Sequence, residues 1–212
     1  GRIAGVVTER ERIATPLVVL AAGVASRQLA ATCGVEVPLV AKAIRVADIA
    51  APSDVHMPIT YMDPISDSWL TLRKGGRALI SAINPAHGAA IDPERYDADF
   101  PKADAEAGLR PVSARLPGIE RATIRAWWMR PDCYAPDGKP ILSGVEEMSG
   151  LFLNTAGAGK GHKVAPAAGR ALAELIAEGR SATADISRFR LSRFQEEARP
   201  WSDSEYGKRV IG

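Results

Sequence analysis

GLFLNTAGAGKGHKVAPAAG, residues 150–169, joins a short apolar strand, a glycine-rich turn and the start of a helix. Leu151, Phe152 and Leu153 read as the strand, and Gly157, Gly159 and Gly161 permit positive φ and close backbone approach to a ligand. Pro166 suits a first helical turn. RALAELIAEG follows, with Leu172, Leu175 and Ile176 on one face and Gly179 as the stop. The positive end of that helix then faces whatever the loop holds. A nucleotide phosphate loop is excluded by spacing. Five places before Gly159, where that loop has its first glycine, this chain has Asn154, and Gly161 follows Lys160 where a Ser or Thr is required. Taken alone, three alternating glycines fit a structural strand-to-helix turn as well as a cofactor loop.

Working outward, residues 2–8 and 12–20 read as strands, the second a near-continuous apolar run of the buried kind, with Glu9–Arg12 as the hairpin tip. Ser26–Cys33 suits a short helix ended by Gly34. PLVAKAIRVADI, MPITYMD and SWLTLRKGGRALISA then read as strands between Pro, Asp and Gly turns, and Gly75-Gly76 predicts a hairpin pairing Trp69–Arg73 with Ala78–Ala82. Residues 84–101 read as loop. A helix is expected over 102–116, kinked or delimited by Pro111, and then a strand over Ile119–Met129. The stretch after residue 195 lacks periodicity and reads as a surface extension.

Composition adds exclusions. The 212 residues are 46% hydrophobic and 25% charged, ordinary globular material. A formal net charge of +2, with scattered basic residues, leaves no nucleic-acid footprint. No apolar run approaches the roughly 20 residues of a membrane span. Cys33 and Cys133 are too few for a disulfide framework, so a cytoplasmic setting is expected, and His56, His87 and His162 lack metal-ligand spacing, so no metal is expected.

Upstream of the glycine loop lies RAWWMRPDCYAPDGKPILSG, residues 125–144; near the start lies GVVTERERIATPLVVLAAGVAS, residues 5–26; and DISRFRLSRF closes the pattern at 185–194. In this order the motifs resemble the C-terminal region of the FAD-dependent D-amino acid oxidase superfamily, nearest its glycine oxidase and sarcosine oxidase branch. The resemblance rests on Arg130-Pro131, on the turn from Pro136-Asp137-Gly138 to Pro140-Ile141, and on the apolar strand ending in Ala21-Ala22-Gly23. It implies an α/β fold, a mostly antiparallel substrate sheet inserted in part of a Rossmann-like FAD-binding domain. The implied division is 1–34 and 130–182 for the flavin domain, 35–129 for the substrate domain and 183–212 for a tail. The family's N-terminal GxGxxG fingerprint, which holds the FAD pyrophosphate, is absent, so a C-terminal half is expected, completed by an N-terminal half in the same or another chain.

The chemistry implied by the resemblance is oxidation of a C–N bond in a small amino acid or amine, with hydride passing to flavin N5. The implied FAD contacts are Ala22, Gly23, Gly157, Ala158, Gly159, Lys160, Gly161, His162 and Lys163. Arg130 matches the glycine oxidase Arg-Pro, and its planar fork suits a carboxylate; the segment from it to Asp137-Gly138 is two residues longer than in the family. Lys163 aligns with a carboxylate-binding lysine of the sarcosine oxidases, and Lys160 with a histidine near the ring. Each cation has a plain alternative as a surface charge. His162 falls at an aromatic position, where packing is the expected role. Sarcosine oxidases attach flavin through a cysteine in this segment, but the register puts Arg130 there rather than Cys133, so non-covalent FAD is expected. Strand alternation sends Trp127 and Trp128 to opposite faces, so one at most lines a pocket, with Tyr134, Tyr61 and Trp69 nearby in sequence or sheet. Two other readings stay open: a dehydrogenase passing electrons to a partner or quinone, and an assembly subunit that binds no flavin.

Overall fold

The computed structural model describes residues 1–66, 68–81 and 88–196. His87, the end of the expected hairpin at Ala82, the start of the expected loop at 84–87 and the expected extension beyond 196 lie outside them. The described chain forms two compact units, one from residues 1–41 and 132–196, the other from Lys42–Pro131.

In the first unit, β1 (Gly5–Val7) and β2 (Arg12–Ala14) form an antiparallel hairpin. The Thr8 hydroxyl closes its tip, accepting from the amides of Arg10 and Glu11. The apolar run does not continue as one strand to residue 20. Pro16 has no N–H to give a ladder, so the chain breaks there and restarts as β3 (Val18–Leu20). Nor is the run buried: β2 is exposed throughout, and Val19 keeps 40% of its surface. The cause is position. β3 is an outer strand of a sheet ordered β3-β10-β9, in which β10 (Leu151–Thr155) runs parallel to β3 and antiparallel to β9 (Ile141–Gly144). Leu151, Leu153 and Ile141 pack with Val37, Leu39 and Ala30 in one core.

Each parallel strand leads into a helix, β3 into α1 (Ser26–Ala31) and β10 into α4 (Gly161–Glu178). As the periodicity predicts, α4 turns Leu172, Leu175 and Ile176 inward, against Leu142 and Ile186. Gly179 ends it at φ 74°, its amide donating to the Leu175 carbonyl at 3.0 Å. Pro166, however, is the sixth helical residue rather than part of the first turn. The Lys160 carbonyl already accepts from Lys163 and Val164, so the helix is nucleated before the ring removes the bond to the His162 carbonyl.

Two 3-10 turns, Ser187–Phe189 and Leu191–Phe194, close this unit. Arg193, 2% exposed, forks onto Asp137 at 2.9 and 3.1 Å, donates to the Lys139 and Arg190 carbonyls, and stacks 4.1 Å from the Phe194 ring centroid. Sequence reading singled out both motifs without their pairing. The earlier anchor is Glu174, whose carboxylate accepts from the amides of Ala182 and Thr183, the hydroxyls of Ser181 and Thr183, and Arg170. Chiefly the Thr183 bonds hold its pKa down to about 2.

The second unit is built on a sheet ordered β5-β6-β7-β4-β8: β5 (Tyr61–Asp63), β6 (Ser68–Arg73), β7 (Arg77–Ser81), β4 (Val40–Ala50) and β8 (Thr123–Tyr134). The expected hairpin forms with a register one residue tighter, Arg73 opposite Arg77 and Leu70 opposite Ile80, because Gly75 and Gly76 both take positive φ in a three-residue loop. One core face carries Ala47, Ile49, Leu70, Ala78 and Ile80. The expected 102–116 helix is two, α2 (Lys102–Ala107) and α3 (Leu109–Ser113); the break falls at Gly108, and Pro111 sits in the first turn of α3, where its missing N–H costs little. Both pack on the core face. The expected strand at 119 begins later, after a 3-10 turn, and runs through Arg130-Pro131 to Tyr134. A proline is tolerated there because β8 is an end strand of this sheet.

Candidate functional site

In the first unit the parallel pair β3 and β10 ends in two glycine-containing turns, Ala21–Ser26 and Ala156–Lys160. Open α/β sheets bind ligands in the crevice beyond the carboxyl ends of such strands. One side chain ties the two turns together: Thr155, the last residue of β10, donates its hydroxyl to the Gly23 carbonyl at 3.2 Å. Gly23 itself holds φ 55°, with nothing within 4 Å of where a Cβ would stand.

The second turn departs from what its glycines suggest. Positive φ falls at Ala156 (59°), Ala158 (48°) and Gly159 (72°), not at Gly157 and Gly161. Left-handed alanine costs roughly 1–2 kcal/mol per residue, and such strain concentrates where a ligand is clamped. Gly157 is needed for another reason. A Cβ on it would lie 2.8 Å from the Gly161 Cα, so any side chain would push the loop off the start of α4. The Ala158 amide donates to the Cys133 carbonyl at 3.1 Å and the Lys160 amide to the Gly157 carbonyl at 2.8 Å. The amides of Gly157, Gly159, Gly161 and His162 have no acceptor among the described residues. The first turn of α4 holds no acidic side chain and no side-chain cap, and residues 162–167 are exposed. Four unspent N–H groups within six residues, at the positive end of an 18-residue helix, make a cradle for an electron-rich ligand edge or an anion. Lys163 adds an exposed cation on that first turn, beside Lys160 at the cap position.

Cys133 lies beneath this loop, buried, its thiol 3.6 Å from the Thr155 hydroxyl. Burial raises its pKa, which disfavours the thiolate that covalent attachment requires. Its neighbour Tyr134 is buried in the same unit, and burial raises the phenol pKa likewise.

A sequence profile described as FAD dependent oxidoreductase, DAO, matches residues 1–175. The chain belongs to that family. It is 30% identical over 201 residues to 4-methylaminobutanoate oxidase (formaldehyde-forming) of Paenarthrobacter nicotinovorans, covering 88% of this chain and 24% of the relative. Glycine oxidase of Pseudomonas putida is 30% identical over 184 residues, covering 83% and 46%. Among solved structures, L-proline dehydrogenase from P. horikoshii superposes with a TM-score of 0.80 at 21% identity, over 92% of this chain and 51% of that one, a likeness of fold. The chain spans less than half the length of these curated relatives. The α/β fold is thus that of the DAO family, whose cofactor is FAD. The residues present fit that group: the unspent amides, the strained alanines and the open space over Gly23 and Gly161 form a backbone cradle with little side-chain bulk.

Of the residues expected at the site, the structure brings Ala22, Gly23 and the run Gly157–Lys163 into the one unit and links their turns through Thr155. Arg130 belongs to the other unit. There alternation from Trp127 and Met129, which pack into the core, places Trp128 and Arg130 on the opposite sheet face. The Arg130 fork donates once, to the Met129 carbonyl at 2.7 Å, and pairs with no carboxylate among the described residues. Trp127 instead anchors its indole N–H on the Phe100 carbonyl at 2.7 Å. Sequence reasoning missed Thr155 and Ala156, though a hydroxyl residue closing a strand before a glycine loop is the signal that could have found the first. Among the described residues no helix is long and apolar enough to cross a membrane.

Proposed function

We propose that this chain is the C-terminal portion of an FAD-dependent oxidoreductase that oxidises the C–N bond of an amino acid or secondary amine. The observation that carries the reading is the set of four unspent amides at the carboxyl end of a parallel strand, in a chain of the DAO family. Relatives named for oxidising 4-methylaminobutanoate and glycine support the substrate class. The first unit serves as part of the flavin domain and the second as the substrate domain. Bound FAD supplies the two-electron acceptor, and water hydrolyses the resulting imine product.

The chain's own residues bind and orient. Gly157, Ala158, Gly159, Gly161 and His162, with Ala22 and Gly23, hold the flavin through backbone and shape, without a covalent link. Lys160, Lys163 and the α4 terminus stabilise negative charge. Arg130, which has no acid partner among the described residues, holds the substrate carboxylate through its guanidinium fork. An N-terminal half carrying the pyrophosphate site completes the enzyme, and the exposed outer edge of β3 is consistent with a further strand beside it. Two unpaired cysteines suit a reducing compartment such as the cytoplasm.

The visible absorption spectrum of the purified intact protein tests this. Flavin bands, released to the supernatant on denaturation and bleached by an amino acid or N-methyl amine under anaerobic conditions, are the expected result. A protein that stays colourless when supplied with FAD and its N-terminal half refutes the reading.

A further inference from the structure

The face of the second unit's sheet opposite its core departs from expectation. An antiparallel sheet packed on one side ordinarily turns polar residues outward. Here alternation places Ile44 and Val46 of β4, Leu79 of β7, Trp69 of β6 and Trp128 of β8 on that outer face. All five are half-buried, and none belongs to the three core clusters. Cross-strand pairing aligns Met62, Trp69, Ser81 and Val46 in a row across four strands. The Trp69 indole N–H is shut off from water and has no acceptor among the described residues. A buried donor left unmade is costly unless a ligand supplies the acceptor. At the β8 edge the same face carries Arg130, a cation with no acid partner among the described residues.

We infer that this face holds the substrate's side chain, and that the side chain is a bulky apolar one of several carbons, with Trp69 Nε1 donating to an oxygen of the same ligand. The inference rests on the amine-oxidising reading above and deepens it. Charge and polarity match such an occupant. The carboxylate meets Arg130, hydrocarbon covers Ile44, Val46 and Leu79, and the two indoles bound it. A substrate with no side chain would leave this apolar surface unused, and the Asp48 carboxylate on this face is already taken by Arg77.

The test uses the intact, flavin-loaded protein and a series of carboxylates that cannot be oxidised at nitrogen: acetate, butyrate and 4-methylpentanoate, with binding followed by tryptophan fluorescence. Each added methylene is expected to tighten binding about fourfold, the equivalent of about 0.8 kcal/mol. Val46→Thr, which keeps the branched shape, should flatten that gradient; Trp69→Phe, which keeps an aromatic ring and removes the N–H, should weaken every member about 3- to 10-fold. Equal affinity along the series overturns the inference, as does a Trp69→Phe variant that binds like the parent. Flavin bleaching separates the two readings. A flavin reduced equally by glycine and by leucine leaves the amine-oxidising function standing and removes the apolar side chain. A methylene gradient in a protein whose flavin no amino acid reduces leaves the apolar face standing and removes the function.

Discussion

Replacing Arg193 by Ala is the perturbation whose cost the structure defines most fully. The guanidinium is almost wholly buried and makes four hydrogen bonds, two to Asp137 and one each to the carbonyls of Lys139 and Arg190, besides its stacking on Phe194. Removing it strands the Asp137 carboxylate, whose side chain is only 9% exposed, with a single remaining donor among the described residues, the Lys139 amide at 3.0 Å. Breaking a buried pair in this way costs about 3–5 kcal/mol, most of it the penalty on the charge left behind. The attribution is checked by a double-mutant cycle. Asp137→Asn keeps an oxygen for the Lys139 amide but removes the charge, so Arg193→Met on that background should cost at least about 2 kcal/mol less than on the parent. Urea midpoints of the intact protein, read by far-ultraviolet circular dichroism, give both numbers. A loss below about 1 kcal/mol for Arg193→Ala, or additive effects in the cycle, would refute the reasoning and reduce the pair to a surface contact.

Ala158→Gly should relieve left-handed strain and raise stability by about 1 kcal/mol, or about 2–4 °C in Tm, with weaker flavin retention because the loop is less preorganised; a lower Tm in calorimetry would count against strain at this position. Glu174 has its pKa lowered in the fold, so its contribution is present above the ordinary glutamate pKa of about 4.3 and is lost as pH falls toward about 2. Hydrogen exchange at the Ala182 and Thr183 amides should accelerate across that window, more than intrinsic rates require, and a Glu174→Gln variant should lack the transition. Arg130→Ala should raise KM for carboxylate substrates about 10- to 150-fold, the loss of one charge-assisted interaction, while an unchanged KM would take it out of the site. Maleimide at neutral pH should label half-buried Cys33 well before Cys133, whose thiol is both buried and raised in pKa; mass mapping of the labelled peptides decides.

How much was legible varied with whether local chemistry or distant pairing decided the outcome. The strand–loop–helix at 150–179 was readable because apolar periodicity and Gly179 act within a few residues. The break at Pro16 was equally local and could have been read from the missing donor. Exposure of Val19 was not, since it depends on which strand lies at the sheet edge. In the candidate site, glycine content pointed to a loop with left-handed backbone, but of its three alternating glycines only Gly159 takes positive φ. The conformation is set by the Ala158 amide reaching Cys133 and by the closeness of Gly157 to Gly161, and those contacts push the positive φ onto Ala156 and Ala158. Arg193 and Asp137 lie 56 positions apart, and no local pattern announces that they meet.

The parallel partners Val18 and Leu151 are separated by 133 positions, with the whole second unit between them. At 5–20 residues per second on the ribosome, β3 emerges roughly 7 to 27 s before the strand it pairs with exists. During that interval Val18, Val19 and Leu20 are an unpaired apolar edge, the kind of segment chaperones shield and neighbouring nascent chains capture. The inserted unit, whose sheet pairs largely with nearby segments, can complete most of its structure first. Slower synthesis lengthens that exposure, so the yield of native protein is expected to fall with it.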